Sequence, residues 1–427
     1  MNPFGTRTIM ISARTTAIWL SLVIIAPCLD AAPPQWSQFR GGNGSASSDS
    51  TLFPSVWSER NVLWKVPIDG LGISSASVWD DRFVFTTAND NGTKRRCLCC
   101  KVQDGSEIWK YETDFESHPK HAKNSFATAT PACAEEGPYL LFGSTTHYSV
   151  ISLDWKGKVR WTRDLGKYIS QHGAGSSPIV IGNELIVTYE QDGPSSVIAL
   201  DRKTGEERWK AERKTDLAAY ATPLVVKEGD SEQIIVSSKA GLASLDPKSG
   251  QTLWSESCFQ ARCVGSPTAA GTNILATCGE GGRGIRLVCL KTNPKLAEGE
   301  SRIAWELTKT IPYCPTSVVT DGLVFMMLDN GVARCVRAQD GKEVWTERLL
   351  SKVTSSPIHV GGRIVAVGET GDTAVFAAAD KFELLGRYQL DDEFLSTPAM
   401  AGDRMILRGK HFLWCIGPEK ESPTAAR

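Results

Sequence analysis

A repeated unit constrains the fold of this 427-residue chain more than any other feature of its sequence. The unit recurs at intervals of about 40 to 54 residues. Its front half is a small-residue turn followed by two short apolar strands that a tight turn connects. Clear copies begin at Gly175, Ala221, Gly265, Ser355 and Ser396, and weaker copies begin near Ser74, Ala129 and Thr316. Eight such units indicate one repeat architecture rather than several separate domains.

The back half of each unit contains a third strand, a polar turn and a fourth strand that carries a tryptophan. The segment ALDRKTGEERW, from Ala199 to Trp209, is the clearest copy. Its glycine supplies the positive φ angle that a tight hairpin turn needs. A large aromatic residue that recurs once per unit is suited to packing one sheet against the next. We expect this structural role for Trp64, Trp109, Trp161, Trp209, Trp254, Trp305 and Trp345, with Leu385 in the corresponding position of the seventh unit.

Four short strands per unit, repeated around a ring, form the blades of a β-propeller. The eighth unit ends after its third strand, near His411, and an isolated strand, NVLWKVPI, precedes the first unit. An N-terminal strand paired with the last blade would remove the open edge of the ring. We therefore predict an all-β fold: a single eight-bladed β-propeller of four-stranded antiparallel blades, closed by an N-terminal outer strand.

The chain divides into four predicted segments. Residues 1–32 have the layout of a secretory signal peptide, with Arg7 and Arg14 before an apolar run from Ala17 to Ala26. Residues 33–60 form a lead segment, residues 61–417 the propeller and residues 418–427 a disordered tail. The apolar run is short for a membrane span, and no transmembrane segment is expected in the mature chain. We expect an exported protein, either periplasmic or extracellular.

Charge and motifs exclude several classes of function. The net charge of −1 gives no electrostatic footprint for nucleic acid. The sequence contains no GxSxG nucleophile elbow, no HExxH motif and no GxxxxGK phosphate loop. The cysteine spacing does not match a zinc site, and no bound metal is expected.

The repeat resembles that of the pyrroloquinoline-quinone (PQQ) propellers. The D-x-x-T-G-x-x-x-W turn, from Asp201 to Trp209, is similar to their tryptophan-docking motif. The stretches QWSQFRGGNGSA, from Gln35, and HAKNSFATATP, from His121, resemble exported planctomycete-type proteins of this kind. The resemblance covers about residues 35–417. It implies kinship with an outer-membrane assembly propeller and with PQQ dehydrogenases, and one such fold supports many functions.

The histidines define a candidate ligand site. In a propeller, the loops from strand four to the next strand one, and from strand two to strand three, open on one face. Alignment of the repeats places five of the six histidines in such loops. Imidazole, carboxamide and carboxylate groups that converge at a channel mouth can bind a metal or a polar ligand. The alternative is that these are ordinary loop residues whose side chains bond only the backbone. The candidate ligand-binding residues are His118, His121, Asn124, His147, His172 and Asp192.

The cysteines admit a disulfide. Twelve are present, and eleven remain without Cys28 of the signal peptide, so at least one thiol is free or paired between chains. Cys258 and Cys263 flank a short loop and are the best disulfide candidates.

The adjacent pair Cys99 and Cys100 resembles the vicinal disulfide of PQQ-dependent alcohol dehydrogenases. The repeat alignment instead places Cys99 in the strand position of Ala199, Cys289 and Cys335. A small apolar residue repeated at one strand position predicts packing.

Two main hypotheses of function follow. The first is a non-enzymatic exported propeller that acts as a binding or assembly scaffold, with a protein partner or a small polar ligand at one face and no cofactor. The alternative is a PQQ-dependent dehydrogenase-like enzyme that uses the quinone and calcium. A hydrolase or lyase activity in the channel face is a third possibility. The sequence favours the scaffold and assigns no catalytic residue.

Overall fold

In the computed structural model, which describes residue 1 and residues 36–228 and 231–419, short β-strands account for nearly all regular structure. The strands form eight sheets in sequential order, so the predicted eight-bladed propeller is confirmed. A single 3-10 turn, Glu59–Asn61, lies in the lead segment. The predicted signal peptide after Met1 and the tail from residue 420 lie outside the described residues. Within the described ranges, no helix is long and apolar enough to cross a membrane.

Two strands precede blade 1: β1 (Ser47–Ser48) lies in the lead segment, and β2 (Val62–Pro67) follows that segment. The first four blades each contain four antiparallel strands in chain order from the channel outward. Blade 1 consists of β3 (Ser77–Trp79), β4 (Arg82–Ala88), β5 (Lys94–Lys101) and β6 (Glu107–Asp114). Blade 2 consists of β7 (Ala132–Ala134), β8 (Gly137–Gly143), β9 (Tyr148–Leu153) and β10 (Val159–Asp164). Blade 3 consists of β11 (Ile179–Ile181), β12 (Glu184–Tyr189), β13 (Ser195–Asp201) and β14 (Glu207–Arg213). Blade 4 consists of β15 (Leu224–Glu228), β16 (Ser231–Ser238), β17 (Gly241–Leu245) and β18 (Thr252–Glu256).

The remaining blades repeat this order, and the last one takes its outer strand from β2, which precedes blade 1 in the chain. Blade 5 consists of β19 (Thr268–Ala270), β20 (Asn273–Glu280), β21 (Arg283–Lys291) and β22 (Ile303–Leu307). Blade 6 consists of β23 (Val318–Thr320), β24 (Leu323–Met327), β25 (Val332–Arg337) and β26 (Glu343–Arg348). Blade 7 consists of β27 (Ile358–Val360), β28 (Arg363–Val367), β29 (Asp372–Ala377) and β30 (Leu384–Gln389). Blade 8 consists of β31 (Ala399–Ala401), β32 (Arg404–Arg408), β33 (Phe412–Ile416) and β2.

The composition of each strand reflects its place in the blade. The second and third strands, such as β12 and β13, are buried almost throughout because neighbouring blades cover both of their faces. The fourth strands, such as β14, alternate between polar residues and residues packed on the next blade. A register shift interrupts the outermost strand pair of every blade, which bends the outer strand.

The N-terminal strand closes the ring as predicted. Strand β2 pairs antiparallel with β33, so that Trp64 lies opposite Cys415. The Asn61 side chain also donates to the Gly417 carbonyl at 3.0 Å. Strand β1 adds a parallel strand to the inner edge of blade 7. The two ends of the propeller are therefore held together by strand pairing.

Buried hydroxyl groups link the blades around the channel. A serine or threonine just before each inner strand accepts a hydrogen bond from the main-chain amide of its counterpart in the preceding blade, at 2.9 to 3.2 Å. Seven junctions carry this bond, from blade 1 to blade 8. At the junction of blades 8 and 1, Arg408 donates to the Ser74 and Thr86 carbonyls. We call the eight residues the hydroxyl ring: Ser75, Thr130, Ser177, Thr222, Ser266, Thr316, Ser356 and Thr397.

Seven indole groups link the blades at a larger radius. Each tryptophan named above donates its Nε1–H to a main-chain carbonyl in the next blade, at 2.8 to 3.2 Å. The ring of Trp161 lies on Gly205, which has a φ of 75° and whose Cβ position is 2.6 Å from the ring. Only glycine fits this turn, because a side chain would meet both the strained φ angle and the indole.

The seventh unit differs from the sequence alignment. Gly386, not Leu385, lies opposite Val375 in the register position that tryptophan takes in other blades. The alignment missed one extra residue in the turn between β29 and β30, because Gly386 follows Val375 by eleven residues whereas Trp345 follows Cys335 by ten. A Cβ atom on Gly386 would lie 2.7 Å from the Ser55 carbonyl oxygen, so the lead segment occupies the space of the missing indole.

The lead segment also enters the central channel. Its main chain accepts hydrogen bonds from Val78 in blade 1 and Cys133 in blade 2, through the carbonyls of Trp36 and Ser37. On the far side, the Ala46 carbonyl accepts from the His359 amide in blade 7. The segment leaves the channel beside Gly361, at the end where the first and second strands connect.

Arg40 fixes this segment from inside the ring. Its guanidinium donates to the Thr316 and Ser317 carbonyls at 3.2 and 2.6 Å, and the residue is 1% exposed. Burial lowers the pKa of this guanidinium to about 9, because no solvent stabilises the charge. The carbonyl oxygens compensate for that lost solvation.

Replacing Thr222 with valine should destabilise the protein. The change removes the acceptor of the buried Ser177 amide, and an unpaired buried amide costs about 1 to 3 kcal/mol. Urea unfolding would measure the loss. Thr162→Val is the matched control, because Thr162 is exposed on β10 and its change should alter the free energy of unfolding by less than about 0.5 kcal/mol. Equal stability of the two variants would contradict a role for the hydroxyl ring.

Replacing Arg40 with methionine should cost about 3 kcal/mol or more in unfolding free energy. The change leaves the buried Thr316 and Ser317 carbonyls without their donor. The control is Arg60→Met, because the Arg60 side chain is 81% exposed. A stability of Arg40→Met within about 0.5 kcal/mol of the control would contradict the anchoring role.

Candidate functional site

The antiparallel order of the strands defines two faces of the ring. The loops that lead into each inner strand, together with the loops between second and third strands, lie on one face, which we call the loop face. His118, His121, His147, His172 and His411 all lie in these loops. His359 is on the inner strand β27, next to the lead segment.

The loop between β6 and β7 reaches over the mouth of the channel. Lys123 in this loop forms an ion pair of 2.6 Å with Glu369, which belongs to blade 7. Its ammonium also donates to the Thr354 hydroxyl at 3.4 Å. Because Lys123 follows blade 1 whereas its partners lie in and before blade 7, the loop spans part of the mouth.

Asn124 connects this loop to the next one. Its amide donates to the carbonyls of His172 and Ala174 at 2.6 and 3.2 Å. Its carbonyl oxygen accepts from the Ser125 amide and the Thr128 hydroxyl. Because all of these hydrogen bonds are made to other groups of the two loops, Asn124 holds the loops in position.

Asp192 plays the same role one blade further on. Its carboxylate accepts hydrogen bonds from the main-chain amides of Gln171 at 3.0 Å and Ala218 at 2.8 Å. Those residues lie in the loops before and after blade 3. The carboxylate therefore holds adjacent loops at a fixed distance.

Two of the candidate histidines meet at the mouth. The rings of His121 and His172 lie 5.0 Å apart and nearly perpendicular. Burial, followed by the charge of Arg262, lowers the pKa of His172. The ring of His118 instead packs edge-on against Phe126, and burial lowers its pKa as well. The lowered pKa favours the neutral imidazole of His118 and of His172.

His147 lies apart from the others. Its Nδ1 is 2.6 Å from the Asp164 carboxylate, at the outer end of blade 2. This hydrogen bond raises the pKa of His147. The neighbouring Glu116 carboxylate accepts from the Thr146 hydroxyl. The six candidate residues therefore do not form one site: five lie at or beside the mouth, and His147 belongs to a groove between blades 1 and 2.

Three residues that the sequence analysis did not select complete the mouth. The Tyr220 ring lies 6.3 Å from His172 and 5.6 Å from the Arg262 guanidinium. Tyr313 packs over Gly279, whose main chain pairs with Arg262. We call the group formed by His121, His172, Tyr220, Arg262 and Tyr313 the mouth cluster. Its tyrosines and arginine occur in loops of different repeats, so no motif joins them in the sequence.

The expected disulfide is not formed. Cys258 and Cys263 are both free and buried, as are Cys99 and Cys100. The Cys263 sulfhydryl points to the Ser238 carbonyl at 3.4 Å instead of to Cys258. Burial raises the pKa of Cys258 to about 12, so this thiol is unreactive at neutral pH.

Comparison with known proteins identifies the family. A family model described as outer membrane protein assembly factor BamB matches residues 102–347, 295–385 and 329–414. These matches cover more than half of the chain. The chain belongs to this family.

Relatives of this BamB-family propeller are distant. The outer membrane protein assembly factor BamB of Burkholderia pseudomallei (strain K96243) is 24% identical over 246 residues, which are 54% of this chain and 60% of the relative. The chain thus spans about 60% of the length of that curated relative.

Solved structures of similar fold include a BamB protein and an alcohol dehydrogenase. BamB from Moraxella catarrhalis superimposes with a TM-score of 0.58 at 15% identity, over 84% of this chain and 98% of that one. The quinohemoprotein alcohol dehydrogenase of Comamonas testosteroni gives a TM-score of 0.66 at 12% identity, over 91% of this chain and 81% of that one. At these identities the likeness establishes the fold alone.

Replacing Asp164 with asparagine in this BamB-family protein should lower the pKa of His147 toward its usual value of 6.5. Because the folded protein binds this proton more tightly than the unfolded chain, the pair stabilises the fold below pH 6.5, and the contribution disappears as the pH rises through the raised pKa. NMR titration of the imidazole Cε1–H signals would measure the change. The pKa of His172 is the internal control and should stay constant. An unchanged His147 pKa would contradict the pairing.

Proposed function

We propose that this protein is an exported, non-enzymatic scaffold that binds another protein through its loop face. Membership of the BamB family supports a role in binding or assembly at the cell envelope. The signal-peptide layout of residues 1–32 supports export. The observation that carries the proposal is the interlocking of the loops around the mouth.

The interlocked loops form a pre-organised surface. Asn124, Asp192 and Lys123 each join loops that belong to different blades. A surface whose loops are already ordered loses less conformational entropy when a partner binds. A docking platform gains affinity from such bridges.

Access to the channel is restricted at both ends. The lead segment lies between the inner strands, and the loop that carries Lys123 crosses part of the mouth. A substrate that had to reach the channel interior would meet the lead segment. The outer surface of the loops is therefore the better candidate for contact with a partner.

The loop face also exposes apolar side chains. Ile169 is 52% exposed in the loop between β10 and β11, and Leu71 is 40% exposed in the loop between β2 and β3. Apolar residues among polar loops are typical of the centre of a protein interface. The main-chain amide of Asp192 donates to the Ile169 carbonyl. Ile169 therefore belongs to the interlocked region.

The alternative, a PQQ dehydrogenase with calcium, has less support. Among the described residues, no three His, Cys, Asp or Glu side chains lie together where they could hold a metal ion. Cys99 packs between blades 1 and 2 whereas Cys100 packs in the core on the opposite side of the sheet. Neither thiol reaches the mouth, so the adjacent cysteines give the quinone alternative no support.

Ile169→Asp should weaken capture of the partner about fivefold or more, because it places a charge in the centre of the contact. The experiment introduces a photo-crosslinking residue at position 169 in cells and identifies the adduct by mass spectrometry. Co-purification of the identified protein with the natural chain and with the Ile169→Asp variant then measures the loss of capture. Position 384 is the matched control, because Leu384 is 40% exposed on the outer strand β30, away from the loops. One protein should crosslink from position 169 and not from position 384.

Two results would contradict this proposal. Equal crosslinking from both positions would mean that the loop face is not the docking surface. Saturable calorimetric binding of PQQ in the presence of calcium, weakened by His121→Ala or His172→Ala, would favour the dehydrogenase.

A further inference from the structure

We infer that the mouth cluster binds a carboxylate group through the guanidinium of Arg262. This inference is independent of the proposed function, since the same site could receive the carboxylate of a small acid or the side chain of an acidic residue. It rests on the hydrogen bonds, burial and charges around Arg262.

Arg262 is buried, yet the two Nη groups of its guanidinium, which we call the fork, have no partner among the described residues. The residue is 8% exposed, and its Nε donates to the Ala218 carbonyl at 3.0 Å. Within the described part of the chain, neither Nη atom has a hydrogen-bond acceptor, and no carboxylate lies within 4.0 Å of it. Both Nη atoms reach solvent, because neither belongs to the fully buried polar atoms that lack a partner.

The other buried arginines of the described residues are bonded differently. Each of them donates at least one Nη–H to a main-chain carbonyl, as Arg302 does to the carbonyls of Lys291 and Asn293 at 2.8 Å. The others are Arg40, Arg95, Arg334 and Arg408. Arg262 alone among these buried guanidinium groups keeps its fork open, which is the arrangement of a ligand site and not of a structural cross-link.

The surroundings hold the fork rigid. The face of Tyr220 lies 5.6 Å from the Arg262 guanidinium, and the Tyr220 hydroxyl is 2.8 Å from the Ser170 hydroxyl. The Arg262 main chain pairs with Gly279, on which Tyr313 packs. A guanidinium fixed by stacking and by its Nε bond loses little entropy when it binds a planar anion.

The charge of the cluster favours a monoanion. The carboxylates of Asp192 and Asp329 both accept from pairs of main-chain amides, and the Lys123 ammonium is paired with Glu369. Arg262 therefore contributes one unpaired positive charge, with negative charges near by. A carboxylate matches that single charge and the two parallel N–H donors, whereas a doubly charged phosphate lacks a second cation.

The test measures binding of two probes to the purified mature chain at constant ionic strength. Propionate represents a free acid, and N-acetyl-glutamate methylamide represents an acidic side chain of a protein. Saturation-transfer-difference NMR gives the Kd of each. We expect saturable binding of at least one probe, and we expect Arg262→Gln to weaken that binding at least tenfold. Equal binding of both probes would indicate a site that is open to the carboxylates of proteins.

Two further variants separate binding from folding. Arg262→Lys keeps the charge and loses the fork, so it should bind more weakly than the natural protein and more tightly than Arg262→Gln. Arg302→Gln removes a buried arginine on the opposite face of the ring, in the connection between β21 and β22, and should leave the Kd within twofold. The inference is overturned if Arg262→Gln binds within twofold of the natural protein, if chloride competes as well as the probes, or if neither probe saturates at tens of millimolar.

Discussion

In a propeller the sheets are arranged in a ring, and each blade must contact its neighbour both near the channel and at a larger radius. Here the inner contact is a buried amide that donates to a hydroxyl of the next blade, and the outer contact is an indole that donates to a carbonyl. Buried polar groups are costly when they lack a partner, so the blades are stable only in this mutual arrangement. The loop face depends on it directly, because the loops that carry Asn124 and His172 end at Thr130 and Ser177 of the hydroxyl ring.

The repeat is incomplete at the seam of the ring, and the lead segment compensates. Blade 7 has Gly386 in place of a tryptophan, and the main chain near Ser55 fills that space. At the next junction Arg408 donates to the Ser74 and Thr86 carbonyls. The lead segment thus supplies an inner edge strand to blade 7 and an anchored arginine to the channel, and β2, which follows it, supplies the outer strand of blade 8.

The features that could be predicted from the sequence are those that recur in each repeat. The blade count, the strand order and the closing strand follow from turns and tryptophans that recur once per unit. The longer turn that displaces Leu385 was missed because one inserted residue has no sequence pattern of its own. The mouth cluster was missed because Tyr220, Arg262 and Tyr313 come from different loops and meet only when the ring closes. The histidines of the loop face were found, but spacing alone could not separate His147 from the mouth.

The position of the lead segment has a consequence for the order of assembly. Asn61 bonds Gly417 across a separation of 356 residues, and Trp36 and Arg40 contact inner strands on different sides of the ring. Contacts between such distant residues carry the largest loop-closure entropy and form late in folding. Trp36 and Ser37 bond blades 1 and 2, which are synthesised early, whereas the partners of Arg40 and Asn61 are synthesised much later. Strand β2 has no partner strand until β33 is made, so the two ends of the propeller complete the ring together.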